Sequence, residues 1–243
     1  MSDERPDLPL LPSAGTEPSR DWRNLYGRRA GKTLRPRQRE HLAADLAALS
    51  PGPVSRAESP ERTPLDLVAR FGVRPLWVEI GFGGGEHMVH QAATHPDVAI
   101  IGCEPFINGV AMLLGKIRKA GVGNVAVHPG DARDLIDVLP AASVSRAFLL
   151  YPDPWPKRRH HRRRFVTPPA LNALARVMAE GAELRLASDI PDYIRQALEE
   201  VPQAGFTLVN RSTTPWEDWI RTRYEAKALR EGRVPDYLTF RRG

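Results

Sequence analysis

The sequence predicts an α/β protein: a Rossmann-like, doubly wound, mostly parallel sheet of seven strands with helices on both faces. Three observations support this fold. Short apolar segments alternate with segments of helical spacing from residue 76 onwards, a glycine-rich loop (GFGGG) joins the first such pair, and acidic residues follow several of the apolar segments. Strands that alternate with helices favour a parallel sheet, because each crossover helix returns the chain to the same edge.

The N-terminal third is predicted to lie outside this pattern. Residues 1–19 are acidic and rich in proline, which predicts a disordered tail. Residues 20–64 are predicted to form a basic arm and a linker, because the segment after residue 19 is rich in arginine and SPGPVSRAESPERTP is punctuated by proline and glycine. The α/β domain is therefore predicted to span residues 65–243.

Periodicity and turn residues place the elements of this domain. The predicted strands are residues 76–80, 98–104, 124–131, 146–151, 182–189, 206–210 and 236–241. The predicted helices are residues 86–95, residues 107–120, a short helix ending at Leu139, residues 168–178, residues 193–201 and a stretch around residues 217–231.

Composition narrows the class of protein. With 42% hydrophobic and 26% charged residues among 243, and no apolar run near the roughly 20 residues that cross a bilayer, the sequence predicts a globular protein without a membrane partner. The N-terminus lacks the features of a signal or transit peptide, so we expect a cytoplasmic protein. The single cysteine, Cys103, excludes an internal disulfide and a cysteine-built zinc site, and we expect it to be buried.

Basic charge points to a nucleic-acid partner. The net charge is +6 and the sequence pI is about 9.8. Much of the positive charge is concentrated in the arm and in the segment after Asp153, as expected for a surface that binds a polyanion.

Acidic residues lie at or just beyond the carboxyl ends of the predicted strands: Glu79, Glu104, Asp131 and Asp153, with Asp189 as a fifth. Each alone is also compatible with a helix cap. Because ligands of open α/β sheets bind beyond the carboxyl ends of the strands, the set predicts one acidic edge that holds a ligand.

The glycine loop favours a cationic ligand over a dinucleotide. Gly81 and Gly83 would let the main chain approach a ligand closely. Glu79 precedes the loop and Glu86 follows it, and carboxylates there would repel a pyrophosphate. S-adenosylmethionine, with a sulfonium and an amino group, suits this loop. Glu104 is then placed to accept from the ribose hydroxyls, and Asp131 from the adenine amine.

The segment YPDPWPKRRHHRRRF predicts a stiff loop that carries one carboxylate. Pro152, Pro154 and Pro156 restrict their own φ angles and disfavour helix at the residue before each of them, so Asp153 is held in advance. Trp155 is predicted either to stack on a base or to pack beneath the loop.

The rest of that segment is predicted to contact RNA. We expect phosphate contacts from its cationic side chains, which are Lys157, Arg158, Arg159, Arg162, Arg163 and Arg164. His160 and His161 have no carboxylate or cysteine at metal-ligand spacing, so no metal site is predicted.

Together, the motifs VEIGFGGGEH, IGCEPF, GDA, YPDPWPKRRHHRRRF, ASD and RTRYE resemble those of the bacterial tRNA (guanine-N7)-methyltransferase family, from about residue 21 to the C-terminus. The resemblance implies S-adenosylmethionine as methyl donor, tRNA as partner and N7 of guanine 46, in the variable loop, as acceptor. It makes residues 65–243 the methyltransferase domain.

The resemblance also implies roles for individual residues. The donor site would comprise Glu79, Glu104, Asp131 and Asp153, the last also being catalytic. Substrate would be bound by Lys157, Asp189, Thr222, Arg223, Tyr224 and Glu225. The string Thr222 to Glu225 departs from the family's usual threonine, lysine, phenylalanine, glutamate, while Phe106 fits the family's aromatic alternative two positions after Glu104.

Two other functions stay open from the sequence. One is a non-catalytic RNA-binding protein on the same fold. The other is a nicotinamide-dependent oxidoreductase, which Glu79 disfavours. A monomer and a homodimer are both compatible with the sequence.

Overall fold

The computed structural model describes residues 25–243, so the predicted tail and the first residues of the arm lie outside it. The strands are β1 (Leu76–Ile80), β2 (Ala99–Cys103), β3 (Val125–His128), β4 (Val144–Leu150), β5 (Met178–Ser188), β6 (Phe206–Ser212) and β7 (Asp236–Arg242). The helices are α1 (Pro36–Asp45), α2 (Leu67–Phe71), α3 (Glu86–Thr94), α4 (Ile107–Ala120), α5 (Ala132–Val138), α6 (Pro168–Val177), α7 (Pro191–Gln203) and α8 (Arg223–Arg230), with a 3₁₀ helix at Arg158–Arg163.

The seven strands form one sheet in the order β3-β2-β1-β4-β5-β7-β6. The first five are parallel, and β7 runs antiparallel to both of its neighbours. Ile80 of β1 pairs with Cys103 of β2 and with Leu149 of β4, so these three strands end at one edge. The predicted mostly parallel, seven-stranded sheet is confirmed.

Helices cover both faces of the sheet, as predicted. Val78 of β1 packs in one apolar cluster with Leu135 of α5 and Ile194 of α7. Trp77, the residue immediately before Val78, belongs to a second cluster with Leu113 of α4. Successive residues of a strand point to opposite faces, so the two clusters are the two layers of a doubly wound fold.

Part of the predicted arm is an element of the fold. Helix α1 packs on α4, where Leu42 is buried in the second cluster and Arg118 donates to Asp45 over 2.6 Å. The domain boundary at residue 65 stays a prediction, although α1 lies ahead of it. No helix within residues 25–243 is long and apolar enough to cross a membrane.

The helix predicted around residues 217–231 is shorter than expected. It begins only after Thr222, whose side chain caps it by accepting from the Glu225 N–H at 3.2 Å. The preceding segment is irregular because its indoles reach into the fold: Trp216 donates to the Thr239 hydroxyl and Trp219 to the Glu225 carboxylate. The predicted helical start was therefore wrong.

Candidate active site

A cavity of about 350 Å³ lies beyond the carboxyl ends of β1, β2 and β4. Its walls come from the residues after these strands, from the start of α5, from the proline loop (residues 151–156) and from residues 25–28. Among the predicted site residues, those that line it are Gly81, Glu104, Asp131, Asp153 and Tyr224. The structure thus brings three of the four predicted donor-site carboxylates to one cavity.

Glu104 is the most buried carboxylate on this wall, with 8% of the residue exposed. Its two oxygens accept main-chain N–H groups from Gly83 at 2.7 Å and Phe106 at 2.9 Å. Burial raises the pKa of the Glu104 carboxyl, and the nearby Asp153 and Glu79 carboxylates add to that rise. The two N–H bonds fix the carboxylate and leave lone pairs directed at the cavity.

The glycine loop (residues 81–85) brings main chain close to the cavity. Gly81, Gly83 and Gly85 all have positive φ angles, which glycine adopts without strain. The loop also packs tightly on α4, because a Cβ on Gly109 would lie 2.2 Å from the Gly83 carbonyl oxygen. A Cβ on Gly85 would likewise meet the side chain of Leu113, whereas one on Gly81, which lines the cavity, would meet nothing within 4 Å.

The acids that flank the glycine loop are engaged with protein groups. Glu79 is 2% exposed, and its carboxylate lies 2.7 Å from Nδ1 of His87. Glu86 pairs with Lys116 at 2.9 Å and with Arg223, and these hydrogen bonds lower the pKa of Glu86 against the effect of burial. Both acids were predicted to face a cationic ligand. The Glu79 carboxylate is instead hydrogen-bonded to His87, and the charge of Glu86 is balanced by Lys116 and Arg223.

Asp131 follows β3 and caps α5. It accepts from the Arg133 N–H at 3.0 Å and from the Arg133 guanidinium at 2.9 Å. The acid therefore lines the cavity in a fixed orientation, with a cation of its own chain beside it.

The proline loop holds Asp153 at the mouth of the cavity. Asp153 is exposed there, and its carboxylate makes no hydrogen bond or ion pair within residues 25–243. Partial burial raises its pKa. Tyr151 and Trp155, on either side, have φ angles of 49° and 41°. Such conformations cost on the order of 1–3 kcal/mol each for residues other than glycine and concentrate at functional sites.

Aromatic and cationic side chains surround Trp155. The guanidinium of Arg163 lies 4.9 Å from the Trp155 ring and 4.5 Å from the ring of Tyr26. Tyr26 and His160 also meet Trp155 edge to face. Trp155 is half-buried and lines the cavity, so it packs against its neighbours and still presents surface to the site.

The basic run divides into an exposed and a buried part. Lys157, Arg158, Arg159 and Arg162 are exposed around the 3₁₀ helix. Arg164 is 3% exposed, and it donates to main-chain and side-chain oxygens of the protein. The prediction that Arg164 contacts phosphate was wrong, because no part of its guanidinium is accessible.

The predicted substrate residues of α8 differ in their surroundings. Tyr224 is 46% exposed and lies against the glycine loop, where a Cβ on Gly83 would come within 2.8 Å of its ring. Thr222 caps the helix, and Glu225, 4% exposed, accepts from the hydroxyl of Tyr237 at 2.9 Å.

The predicted substrate residues outside α8 are Lys157 and Asp189, and neither lines the cavity. Asp189 pairs with Arg233 at 2.5 Å beyond the end of β5. Lys157 is exposed at the start of the 3₁₀ helix. Both lie on segments that directly follow strands of the acidic edge.

No cluster of three or more potential metal ligands occurs in residues 25–243. Cys103 is fully buried, as predicted, and burial raises the pKa of its thiol. It is therefore a packing residue of β2.

Sequence reasoning missed several residues of the site: Tyr26, His87, Arg133, Arg163 as a ring contact and Arg164 as a buried donor. Tyr26 carries a weak signal, an aromatic residue within a basic arm. The others carry none, because their roles arise from contacts between segments that are distant in sequence.

Comparison with known proteins identifies the family and the fold. Residues 73–235 match the model of a family described as putative methyltransferase. A tRNA (guanine-N(7)-)-methyltransferase of Cereibacter sphaeroides is 71% identical over 91% of this chain and 92% of that protein. One from Rhodospirillum rubrum is 45% identical over 96% and 91% of the two chains. The crystal structure of the 16S rRNA methyltransferase KamB, 17% identical over 78% of this chain and 94% of that one, shares the fold with a TM-score of 0.53.

Proposed function

Because the chain belongs to the bacterial tRNA (guanine-N7)-methyltransferase family, we propose that it transfers the methyl group of S-adenosylmethionine to N7 of guanine 46 in the variable loop of tRNA. The observation that carries this proposal is the pair of carboxylates of Glu104, which is buried, and Asp153, which is exposed, both lining one cavity beyond the carboxyl ends of β2 and β4.

The residues of the cavity fit a cationic donor. Glu104 is buried, and neither Glu104 nor the exposed Asp153 has an ion pair among residues 25–243. A bound cation would offset the cost of burying the Glu104 charge and would pair with Asp153. Gly81 brings main chain to the wall without side-chain bulk, and the N–H of Gly83 holds the Glu104 carboxylate. We assign Glu104 to bind the ribose hydroxyls of the donor and Asp131 to bind its adenine amine. Glu79, through its hydrogen bond to His87, would support the glycine loop.

Positioning is the main task of the protein in this reaction. S-adenosylmethionine supplies an electrophilic methyl group on a cationic sulfur. Guanine N7 already has a lone pair and needs no general base. Asp153 acts by accepting the N1 and amino hydrogens of guanine, which become better donors as positive charge develops on the purine. This contact strengthens in the transition state, so it raises the rate and not only the affinity.

The mouth of the cavity is suited to RNA. Exposed cations lie on the proline-loop side, including Lys157 and Arg159, and Arg28 belongs to the adjoining wall formed by residues 25–28. These would bind phosphates and set the register of the tRNA. We assign Tyr224 and Lys157 to direct substrate contact. Thr222, Arg223, Glu225 and Asp189 would act through their protein partners, which hold α8 and the end of β5 in place.

The test is nucleoside mass spectrometry of an unmodified tRNA transcript after incubation with the protein and S-adenosylmethionine. We expect 7-methylguanosine, and we expect none from a transcript with 7-deazaguanosine at position 46, which lacks the acceptor nitrogen. A product that persists on the substituted transcript would show another site. RNA binding without any product would instead support the non-catalytic alternative.

A further inference from the structure

Asp153 depends on its loop for orientation. Its carboxylate has no partner within residues 25–243 that could hold it, so the main chain at residues 152–156 sets its direction. The three prolines of the loop fix φ at their own positions but lack N–H donors. Trp155 adds a positive φ angle, a conformation that the surroundings must maintain.

Arg164 supplies hydrogen-bond donors to the main chain of the proline loop. Its Nε donates to the carbonyl oxygen of Pro154 at 2.8 Å, directly after Asp153 in the chain, and its Nη2 lies 3.5 Å from the carbonyl oxygen of Trp155. These carbonyls belong to the loop that carries Asp153. The side chain of Arg164 is completely buried, so the contacts are sheltered from competing water.

The other end of the guanidinium is fixed to α7. Its Nη1 donates to the Gln196 amide oxygen at 2.7 Å and its Nη2 to the Asp192 carboxylate at 2.8 Å. Gln196 in turn donates to the carbonyl oxygen of Val166 at 2.6 Å. The planar guanidinium, with several donors in one plane, can bond to the loop and to the helix at the same time, and a lysine ammonium lacks that geometry.

We propose that Arg164 is a positioning residue that holds the Asp153 carboxylate in its reactive orientation by bracing the proline loop on α7. The proposal rests on the proposed function, in which Asp153 accepts hydrogens from the acceptor base. Arg164 belongs to the lining of the cavity, but its side chain is completely buried and its guanidinium is bonded to protein oxygens, so its role is exerted through the loop.

Kinetics of Arg164→Ala and Arg164→Lys test this role, with kcat expressed per donor-binding site counted by calorimetry. We expect kcat to fall about 10- to 100-fold in both variants, since a displacement of about 1 Å has an effect of that size. We expect the dissociation constant for S-adenosylmethionine and the KM for tRNA to stay within about twofold. Wild-type kcat per site in Arg164→Ala would overturn the proposal, and wild-type kcat in Arg164→Lys would overturn the requirement for the guanidinium.

Arg176→Ala is the matched control for a general loss of stability. Arg176 also donates to two main-chain carbonyl oxygens, those of Leu139 and Ile136, but away from the proline loop. We expect its melting temperature to fall while kcat per donor-binding site is unchanged. An equal fall of kcat in Arg176→Ala would show that Arg164 acts only through stability.

A measurement without catalysis separates this proposal from the proposed function. The chain has five tryptophans, so 5-fluorotryptophan labelling gives five ¹⁹F resonances, and Trp155→Phe identifies that of Trp155. We expect Arg164→Ala to shift or broaden this resonance, and Arg176→Ala to leave it in place. An unchanged resonance in Arg164→Ala would refute the brace even if the wild-type protein methylates tRNA. A wild-type protein that forms no 7-methylguanosine would refute the function and leave the brace standing.

Discussion

The glycine loop and the proline loop follow neighbouring parallel strands, β1 and β4, and both border the same cavity, yet they are built in opposite ways. In the glycine loop, the three residues with positive φ are glycines and so carry no side chain. Its flanking acids are paired with His87, Lys116 and Arg223. The proline loop has restricted φ angles and one carboxylate, that of Asp153, which has no ion-pair partner in the described part of the chain.

The difference indicates a division of labour at one edge of the sheet. The glycine loop offers space and main-chain approach, and its acids stabilise the protein itself. The proline loop offers a charge that no group within residues 25–243 neutralises, which is what a reaction that develops positive charge requires. The predictions below change one loop while leaving the other intact.

The largest effect is expected from Asp153→Asn. The amide keeps the shape of the carboxylate but removes the charge that the developing cation needs, so kcat should fall by roughly 10²- to 10³-fold. Because burial raises the pKa of Asp153, the ionised form is disfavoured by the fold, and the melting temperature of the variant should be equal to or above that of the wild type. Methyl transfer and thermal unfolding measure the two quantities.

Asp97→Asn is the control for this substitution. Asp97 is exposed and lies two residues before β2, at the opposite edge of the sheet. We expect wild-type kcat for it. A wild-type rate in Asp153→Asn would remove the catalytic role of the proline loop.

A smaller effect is expected from Gly83→Ala in the other loop. Gly83 has a φ angle of 57°, and an added Cβ would meet the ring of Tyr224 at 2.8 Å. We expect the dissociation constant for S-adenosylmethionine to rise about tenfold because both the loop and Tyr224 must shift, and the free energy of unfolding to fall by about 1–2 kcal/mol.

Gly121→Ala isolates the backbone cost of that change. Gly121 ends α4 with a φ angle of 66°, and nothing lies within 4 Å of an added Cβ. It should lose about 1 kcal/mol of stability with unchanged donor affinity. If both glycine variants bind the donor like the wild type, the close approach at Gly83 has no part in binding.

The smallest effect is a pH dependence of donor affinity from Glu104, which lies between the two loops. Burial raises its pKa above the usual 4.5, so as the pH falls the carboxylate is neutralised earlier than an exposed glutamate and attracts a cation less. In an Asp153→Asn background, which removes the other titrating carboxylate of raised pKa on this wall, the affinity should decrease a few-fold on acidification. The Glu104→Gln substitution in the same background should abolish the dependence. A pH dependence that persists in the double variant would belong to a group other than Glu104. Calorimetry of donor binding at several pH values measures it.

Much of the fold could be predicted because its signals are local. The apolar segment 76–80, the glycines after it and the acids after each strand are contiguous in sequence, and the parallel sheet then brings Glu104, Asp131 and Asp153 to one cavity. The start of α8 was mispredicted because Trp216 and Trp219 bond to residues of β7 and α8, which no local pattern reports.

The basic run after Asp153 also differs between sequence and structure. From the sequence, Arg159 and Arg164 are equivalent members of one cluster. In the fold one is exposed and the other completely buried, because the chain turns through the 3₁₀ helix and directs Arg164 beneath the loop toward α7.

The amino-acid sequence by itself determined the sheet, the two loops and the edge at which the acids gather, since strand periodicity, glycine and proline act over a few residues. Only the tertiary structure decided which charges are balanced and which are available. Glu86 and Asp153 are both carboxylates beside a loop of that edge, but Lys116 and Arg223 reach the first and nothing within residues 25–243 reaches the second. Electrostatic pairing depends on distances between side chains that are remote in sequence, and those distances are set only when the elements pack.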